Sequence, residues 1–312
     1  MNRLIVIVGP TAAGKSGIAL QLAKRFECEI VSGDSMCIYR GMDIGTAKPT
    51  AEERREVPHH LVDILGPEDC FSVVDFQKLA GYAIDDICRR GKIPLLVGGT
   101  GLYVQALLEG YQFSRTPKTE MRRELQAASE ETLSAQRHHQ RLFELDPETA
   151  DRIHPNDLRR ILRALEVITQ EQEPVSRCKK TDNPALLYDC IVFGLSRNRQ
   201  ELYRRVNERV DKMISAGLVE EVEKLLAAGL SAEDTAMQAI GYKEIVCHLR
   251  GELSIEEAVS RIKQSSRRFA KRQATWFRRM PYIHWIDMDG GGEVEDPLSN
   301  MSRQVAEKFS IG

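Results

Sequence analysis

Apolar positions near the start of the chain come in short unbroken runs, and further on they fall into helix-spaced sets. Residues 4–8 form the first run, followed by a glycine-bearing turn, a helical pattern over 15–25 and a second run at 29–32. That order predicts parallel strands joined by a right-handed helical crossover. A third run at 93–97 follows a helix-like stretch over 74–90 and ends in Gly98-Gly99, and a fourth occupies 187–195. Runs of Val, Ile and Leu without alternation suit strands covered by helices on both faces. Residues 115–183 contain no such run and read as helices, punctuated at Asp146-Pro147, His154-Pro155-Asn156-Asp157 and Asn183-Pro184. From Leu202 onward the pattern is helical again, with Leu218, Val222 and Leu225 at helical spacing. The predicted architecture is α/β: a parallel sheet core flanked by helices from residues 1–114 and 184–312, interrupted by an all-helical insertion domain at 115–183.

Composition changes this picture little. At 312 residues, 42% hydrophobic and 29% charged, the chain has the make-up of a soluble globular protein of about two domains. No apolar stretch approaches the roughly 18 residues of a membrane span, and no secretory pattern precedes the first run, so a cytoplasmic monomer without membrane attachment is expected. Seven cysteines at wide spacings, with no Cys-x-x-Cys pair, read as scattered reduced thiols. His59-His60 lacks partners with metal-site spacing, and His138-His139 reads as exposed helix surface.

Charge matters locally. The net charge is -2, yet residues 261–280 hold eight basic residues and no acid. Such asymmetry suits a phosphate backbone, with Arg268, Lys271 and Arg272 as RNA contacts. Ile262, Phe269 and Trp276 recur every seven residues on the same segment, giving it an apolar stripe with Trp276 in the core.

One motif carries specific chemistry. Gly9, Pro10, Thr11, Ala12, Ala13, Gly14, Lys15 and Ser16 match Gly-x-x-x-x-Gly-Lys-[Ser/Thr] between a strand and a helix, as a P-loop requires. Backbone N–H groups and the helix N-terminus would cradle a phosphate, Lys15 would reach the outer phosphates, and Ser16 would help hold Mg2+. A P-loop hydrolase also carries an apolar strand ending in Asp. Here the third strand ends in Gly98-Gly99-Thr100, and an acid stands instead at Asp34, just past the second strand. Its position leaves three roles open: metal support, general base, or a cap for the following turn.

The stretch from Asp34 through Ser35, Met36, Cys37, Ile38, Tyr39, Arg40 and Gly41 to Pro49 resembles the signature of the tRNA dimethylallyltransferases. Further blocks are similar to the same family: Pro58-His59-His60 with Asp63, Phe71-Ser72 through Asp75-Phe76, Gly98 to Tyr103, His154 to Asp157 with Arg163 to Glu166, Ala239 to Glu244, and Lys271 to Arg278. The resemblance implies a P-loop NTPase-like core and transfer of a dimethylallyl group from dimethylallyl diphosphate to the N6 amine of adenosine 37 in tRNA, with diphosphate released. It implies that the P-loop holds an isoprenoid diphosphate, that Lys15, Ser16, Thr100 and Arg209 serve the diphosphate, and that Asp34 is the base near the adenine amine. It also implies RNA contacts at Asp34, Ser35, Met36, Cys37, Thr100, Arg122, Arg159, Arg160, Ile161, Leu162, Arg163, Gln238, Ala239, Ile240, Gly241, Tyr242 and Lys243. The family's eukaryotic zinc finger has no counterpart here, which implies a bacterial-type enzyme. Two other readings fit the P-loop alone, a small-molecule or nucleotide kinase and a non-catalytic RNA-binding module.

Overall fold

The computed structural model describes residues 1–113, 134–171, 185–290 and 296–311. Two compact units result, one from residues 1–110 with 186–312 and the other from 111–185.

The larger unit is built on a six-stranded parallel sheet. Its strands in chain order are β1 (Arg3–Val8), β2 (Glu29–Ser32), β3 (His59–His60), β4 (Pro94–Gly98), β5 (Asp189–Ser196) and β6 (Ile283–Asp287), arranged β3-β2-β4-β1-β5-β6. Alternate side chains of the central β1 enter opposite cores. Leu4, Val6 and Val8 join one apolar cluster, and Ile5 and Ile7 join the other, which is why the run shows no polar alternation. Helices α1 (Lys15–Arg25) and the C-terminal Pro297–Phe309 cover the second cluster through Leu22, Ala23, Met301 and Val305. Helices α2 (Ala51–Glu56), α3 (Val73–Arg89) and α4 (Gly101–Glu109) follow in the chain, and α3 and α4 cover the first cluster. Gly33 and Gly98 meet at the carboxyl ends of β2 and β4 so closely that a Cβ on Gly98 would overlap the Gly33 backbone.

In the smaller unit, α5 (Ser134–Leu145), α6 (Pro147–Arg152) and α7 (Leu158–Glu171) pack Leu142, Ala150, Ile161, Ala164, Leu165 and Ile168 together. Asp146 caps α6 by accepting the Thr149 N–H at 3.1 Å. His139 is not the surface residue expected: its Nε2 lies 3.1 Å from the Ala150 carbonyl and 3.0 Å from that of Ile153, tying α5 to α6.

The tail carries α8 (Arg199–Ser215), α9 (Leu218–Ala227), α10 (Tyr242–Leu249) and α11 (Ile255–Phe277), with α12 (Pro297–Phe309) after β6. Two strands lie where the apolar pattern predicts none. β3 is two residues long, and β6 is an edge strand with only Ile283 and Ile286 buried, so neither leaves a run to read. The buried stripe of α11 is Ala258, Ile262, Ala270, Gln273 and Phe277, and the seven-residue spacing overstated the stripe. Trp276 falls off it and is 37% exposed, which corrects its placement in the core.

Candidate active site

The phosphate loop takes its shape from its own sequence. Gly14 sits at φ 106° as the residue before α1, a conformation open to glycine, and no side chain caps the helix. The first N–H groups of α1 therefore face a cavity of about 340 Å3 lined by Ala12, Gly14, Lys15, Ser16, Arg205, Arg209 and Lys212, among others. An uncapped helix start facing mostly basic side chains, with Glu208 as the one acid in the lining, is suited to an anion. Lys15 folds back so that Nζ donates to the Gly9 carbonyl at 3.0 Å and the Pro10 carbonyl at 2.9 Å. Burial, and then the Arg209 guanidinium, push its pKa down to about 8, against opposing pulls from Asp34 and Cys37. Burial also lowers Arg209, which Asp34 and Cys37 again oppose.

Neighbouring elements brace this loop. Arg205 Nε donates to the Ala12 carbonyl at 3.1 Å and Arg197 Nε to that of Ala13 at 3.0 Å, while Arg209 Nη2 donates to the Thr46 carbonyl at 3.3 Å on the segment after β2. Gln273 of α11 is buried and accepts the Thr11 N–H at 2.8 Å while donating to the Gly99 carbonyl at 2.9 Å. One amide thus fixes the P-loop against the end of β4.

Across the cleft, Asp34 Oδ1 accepts the Met36 N–H at 2.8 Å, so the carboxylate caps its turn. Its charge nonetheless reaches Lys15 and Arg209, as their shifts record, so capping does not exhaust it. Thr100 precedes α4 without capping it; its Oγ1 accepts the Ser35 N–H at 3.2 Å and lies 3.4 Å from Ser35 Oγ. A hydroxyl diverted from its own helix joins the end of β4 to the turn that carries Asp34. That turn is held further on by Lys48, whose buried Nζ donates to the Tyr39 carbonyl at 2.7 Å, Asp43 at 2.6 Å and Asp63 at 2.5 Å. Glu221 of α9 accepts the N–H groups of Asp43, Ile44 and Gly45 at 2.8, 2.8 and 3.1 Å, and the Tyr242 hydroxyl at 2.6 Å.

The family model for IPP transferase matches residues 37–280, and that for isopentenyl transferase matches residues 2–61. The chain belongs to the tRNA dimethylallyltransferase family. It is 47% identical over 311 residues to the tRNA dimethylallyltransferase of Geobacillus kaustophilus, covering 99% of this chain and 98% of that one. To the enzyme of the same name from Desulforudis audaxviator it is 51% identical over 292 residues, covering 93% and 94%. The tRNA isopentenylpyrophosphate transferase of Bacillus halodurans superposes with a TM-score of 0.73 at 43% identity, covering 99% of this chain and 97% of that one. A eukaryotic dimethylallyltransferase acting on tRNA gives 0.84 at 28% identity, covering 99% and 80%. The chain is therefore a prenyltransferase on a P-loop NTPase-like parallel sheet.

In this family member, Lys15, Asp34, Thr100 and Arg209 are brought to one cleft. Arg205 and Lys212 join them unexpectedly, although their spacing from Arg209, four residues before and three after, already puts all three on one face of α8. The bracing roles of Gln273 and Glu221 could not be read from the sequence, because their partners are mostly backbone groups far away in the chain, and Lys48, although inside the Asp34 to Pro49 block, is not marked there as the partner of Asp43 and Asp63. The expected RNA contacts divide by burial. Arg159, Arg160, Arg163, Gln238, Lys243, Arg268, Lys271 and Arg272 are exposed. Ile161 and Tyr242 are wholly buried, with Leu162 and Cys37 nearly so, and their side chains pack the interior behind exposed neighbours. Gly241 is buried too, its N–H donating to Glu244. Arg122 lies outside the described residues. No helix among the described residues is long and apolar enough to cross a membrane.

Proposed function

We propose that the protein transfers a dimethylallyl group from dimethylallyl diphosphate to the N6 amine of adenosine 37 in tRNA. The observation that carries this reading is the cavity between the uncapped start of α1 and the basic face of α8, with Asp34 electrostatically coupled to its cations. An allylic diphosphate leaves with high negative charge, and preorganised cations and N–H groups stabilise it as the carbon–oxygen bond breaks. Lys15, Arg209 and the α1 N–H groups supply that stabilisation, while Arg205 and Gln273 hold the loop. The electron pair of the broken bond leaves on the diphosphate, the N6 lone pair forms the new carbon–nitrogen bond, and Asp34 takes the N6 proton. A base placed this way contributes about 100- to 10,000-fold. The target adenine has to leave its stack to enter the cleft.

The residues fit a Mg2+ ion. Ser16 is exposed at the cavity, and Mg2+ is commonly held by one or two protein oxygens with phosphate oxygens and waters. Among the described residues there is no group of three His, Cys, Asp or Glu that could hold a metal ion, so most ligands would come from diphosphate and water. When bound, the ion would neutralise charge growing on the diphosphate. The exposed arginines of α7 offer the inserted unit an RNA-binding face, and a cytoplasmic location is consistent with a tRNA substrate.

Mass spectrometry of nucleosides from unmodified tRNA, incubated with the protein, Mg2+ and dimethylallyl diphosphate, tests the reading. The expected product is adenosine carrying the five-carbon group at position 37. Turnover of ATP without prenylation would overturn it in favour of a kinase.

A further inference from the structure

We infer that the indole of Trp276 is a stacking platform for an unpaired RNA base beside the reaction cleft. The inference rests on tRNA being the substrate, as proposed above.

Its neighbours on the core side of α11, Gln273 and Phe277, are 6% and 0% exposed, whereas Trp276 is 37% exposed. A single partly exposed ring is ordinary, and Trp285 is 40% exposed as well; what sets Trp276 apart is how its ring is held and what surrounds it. The ring is held. Indole Nε1 donates to Gln105 Oε1 at 3.0 Å, Gln105 Nε2 donates to Glu109 Oε1 at 3.0 Å, and Glu109 accepts the Tyr282 hydroxyl at 2.7 Å. The indole also lies so close to Gly101 that a Cβ there would overlap it. Gly101 directly follows Thr100, whose hydroxyl joins the Asp34 turn, so the ring stands against the wall of the cleft.

The surroundings specify the occupant. Lys263 pairs with Asp211 at 2.6 Å, and Arg267 donates to Asn207 at 2.6 Å. Lys271, Arg272, Arg278 and Arg279, within five residues of the indole, are exposed, and among the described residues none has a carboxylate partner. Arg272 lies over the Phe269 ring, 5.7 Å to its centroid, and an oriented indole amid cations without carboxylate partners combines the two components of single-stranded nucleic-acid binding, a π-face for a base and positive charge for its phosphates. An apolar protein partner would have to bury those charges unpaired.

Trp285 is the other tryptophan in the chain, so Trp285→Phe leaves the emission of Trp276 alone to be read. Titrating that variant with an unmodified anticodon stem-loop should quench its fluorescence, since a stacked base contacts the ring directly. Trp276→Ala should weaken stem-loop binding by about 10-fold or more, Trp276→Phe should restore most of it, and the affinity for inorganic diphosphate should stay unchanged. Unaltered emission at saturating RNA in a protein that prenylates tRNA would overturn the platform and leave the proposed function standing. A raised KM for dimethylallyl diphosphate with unchanged RNA affinity would overturn it too, making the ring a wall for the prenyl chain. Failure of the wild-type protein to bind or prenylate tRNA would remove the reading on which the inference rests.

Discussion

Asp34 carries a hydrogen bond and a charge that one substitution separates. Asn keeps an oxygen that accepts the Met36 N–H, so the turn survives Asp34→Asn, while the proton acceptor is lost. Single-turnover prenyl transfer should fall by about 100-fold or more with the denaturation midpoint unchanged. Diphosphate affinity should hold or rise, because a negative neighbour of Lys15 and Arg209 is gone. Weaker diphosphate binding rescued by extra Mg2+ would instead assign Asp34 to the metal. Lys15 makes a separate prediction. Its ammonium form binds the anion and its pKa in the free protein is about 8, so raising the pH through 8 removes the charge and weakens binding. Bound diphosphate favours the charged form, so the loss should approach 10-fold per pH unit above 8. Calorimetric titration of inorganic diphosphate from pH 7 to 9 reads this, with Lys15→Arg, charged throughout, as the flat reference.

At the scale of elements, α11 serves two purposes on two faces. Gln273 and Phe277 face the core, and Arg268, Lys271 and Arg272 face water. Replacing those three by Gln should weaken RNA binding across sequences and flatten the slope of log affinity against log salt by about 0.7 to 0.9 for each phosphate left without its cation. Inorganic diphosphate affinity should not change, and an unaltered slope would show the charges are merely solvated. This helix also shows where sequence was informative. Its charge was plain because charge is a property of the residues themselves, and so was the P-loop, whose glycines, lysine and serine are consecutive. β1, β4 and β5 were readable because a strand buried on both faces is apolar along its buried length, whereas β2 shows only Ile30 and Val31 between the buried Glu29 and Ser32 and was read from its place after α1. Which face of α11 is buried was not readable, because Ala270 and Gln273 take positions where a larger residue would not fit against α8 and Gly99. The bracing of the Asp34 turn by Glu221 was equally hidden, since the N–H groups of Asp43, Ile44 and Gly45 that it accepts are backbone groups any sequence supplies, and that of Lys48 depends on a fold that brings Asp43, Asp63 and the Tyr39 carbonyl around one buried ammonium.

For the whole molecule, the inserted unit leaves and rejoins the sheet unit at one neck. The Leu187 N–H donates to the Leu108 carbonyl at 2.9 Å, so both ends of the insertion are already held together by the larger unit. Replacing residues 111–185 with a short Gly-Ser link should therefore leave a folded core, with diphosphate binding intact by calorimetry and stem-loop affinity reduced at least 10-fold by filter binding. Full RNA affinity in the shortened protein would show that the insertion does not grip RNA. The strand order has a further consequence, for how the chain reaches this structure. β1 is synthesised first but lies between β4 and β5, and β5 lies beyond the whole insertion. A ribosome adding roughly 5 to 20 residues per second needs on the order of 5 to 20 s to pass from Gly98 to Asp189. Throughout that interval one edge of β1, apolar from Leu4 to Val8, stays open, a template for pairing with other chains. Nascent chains stalled at residue 185 should therefore bind chaperones and aggregate on release, whereas chains stalled far enough past Ser196 for β5 to emerge should acquire protease resistance.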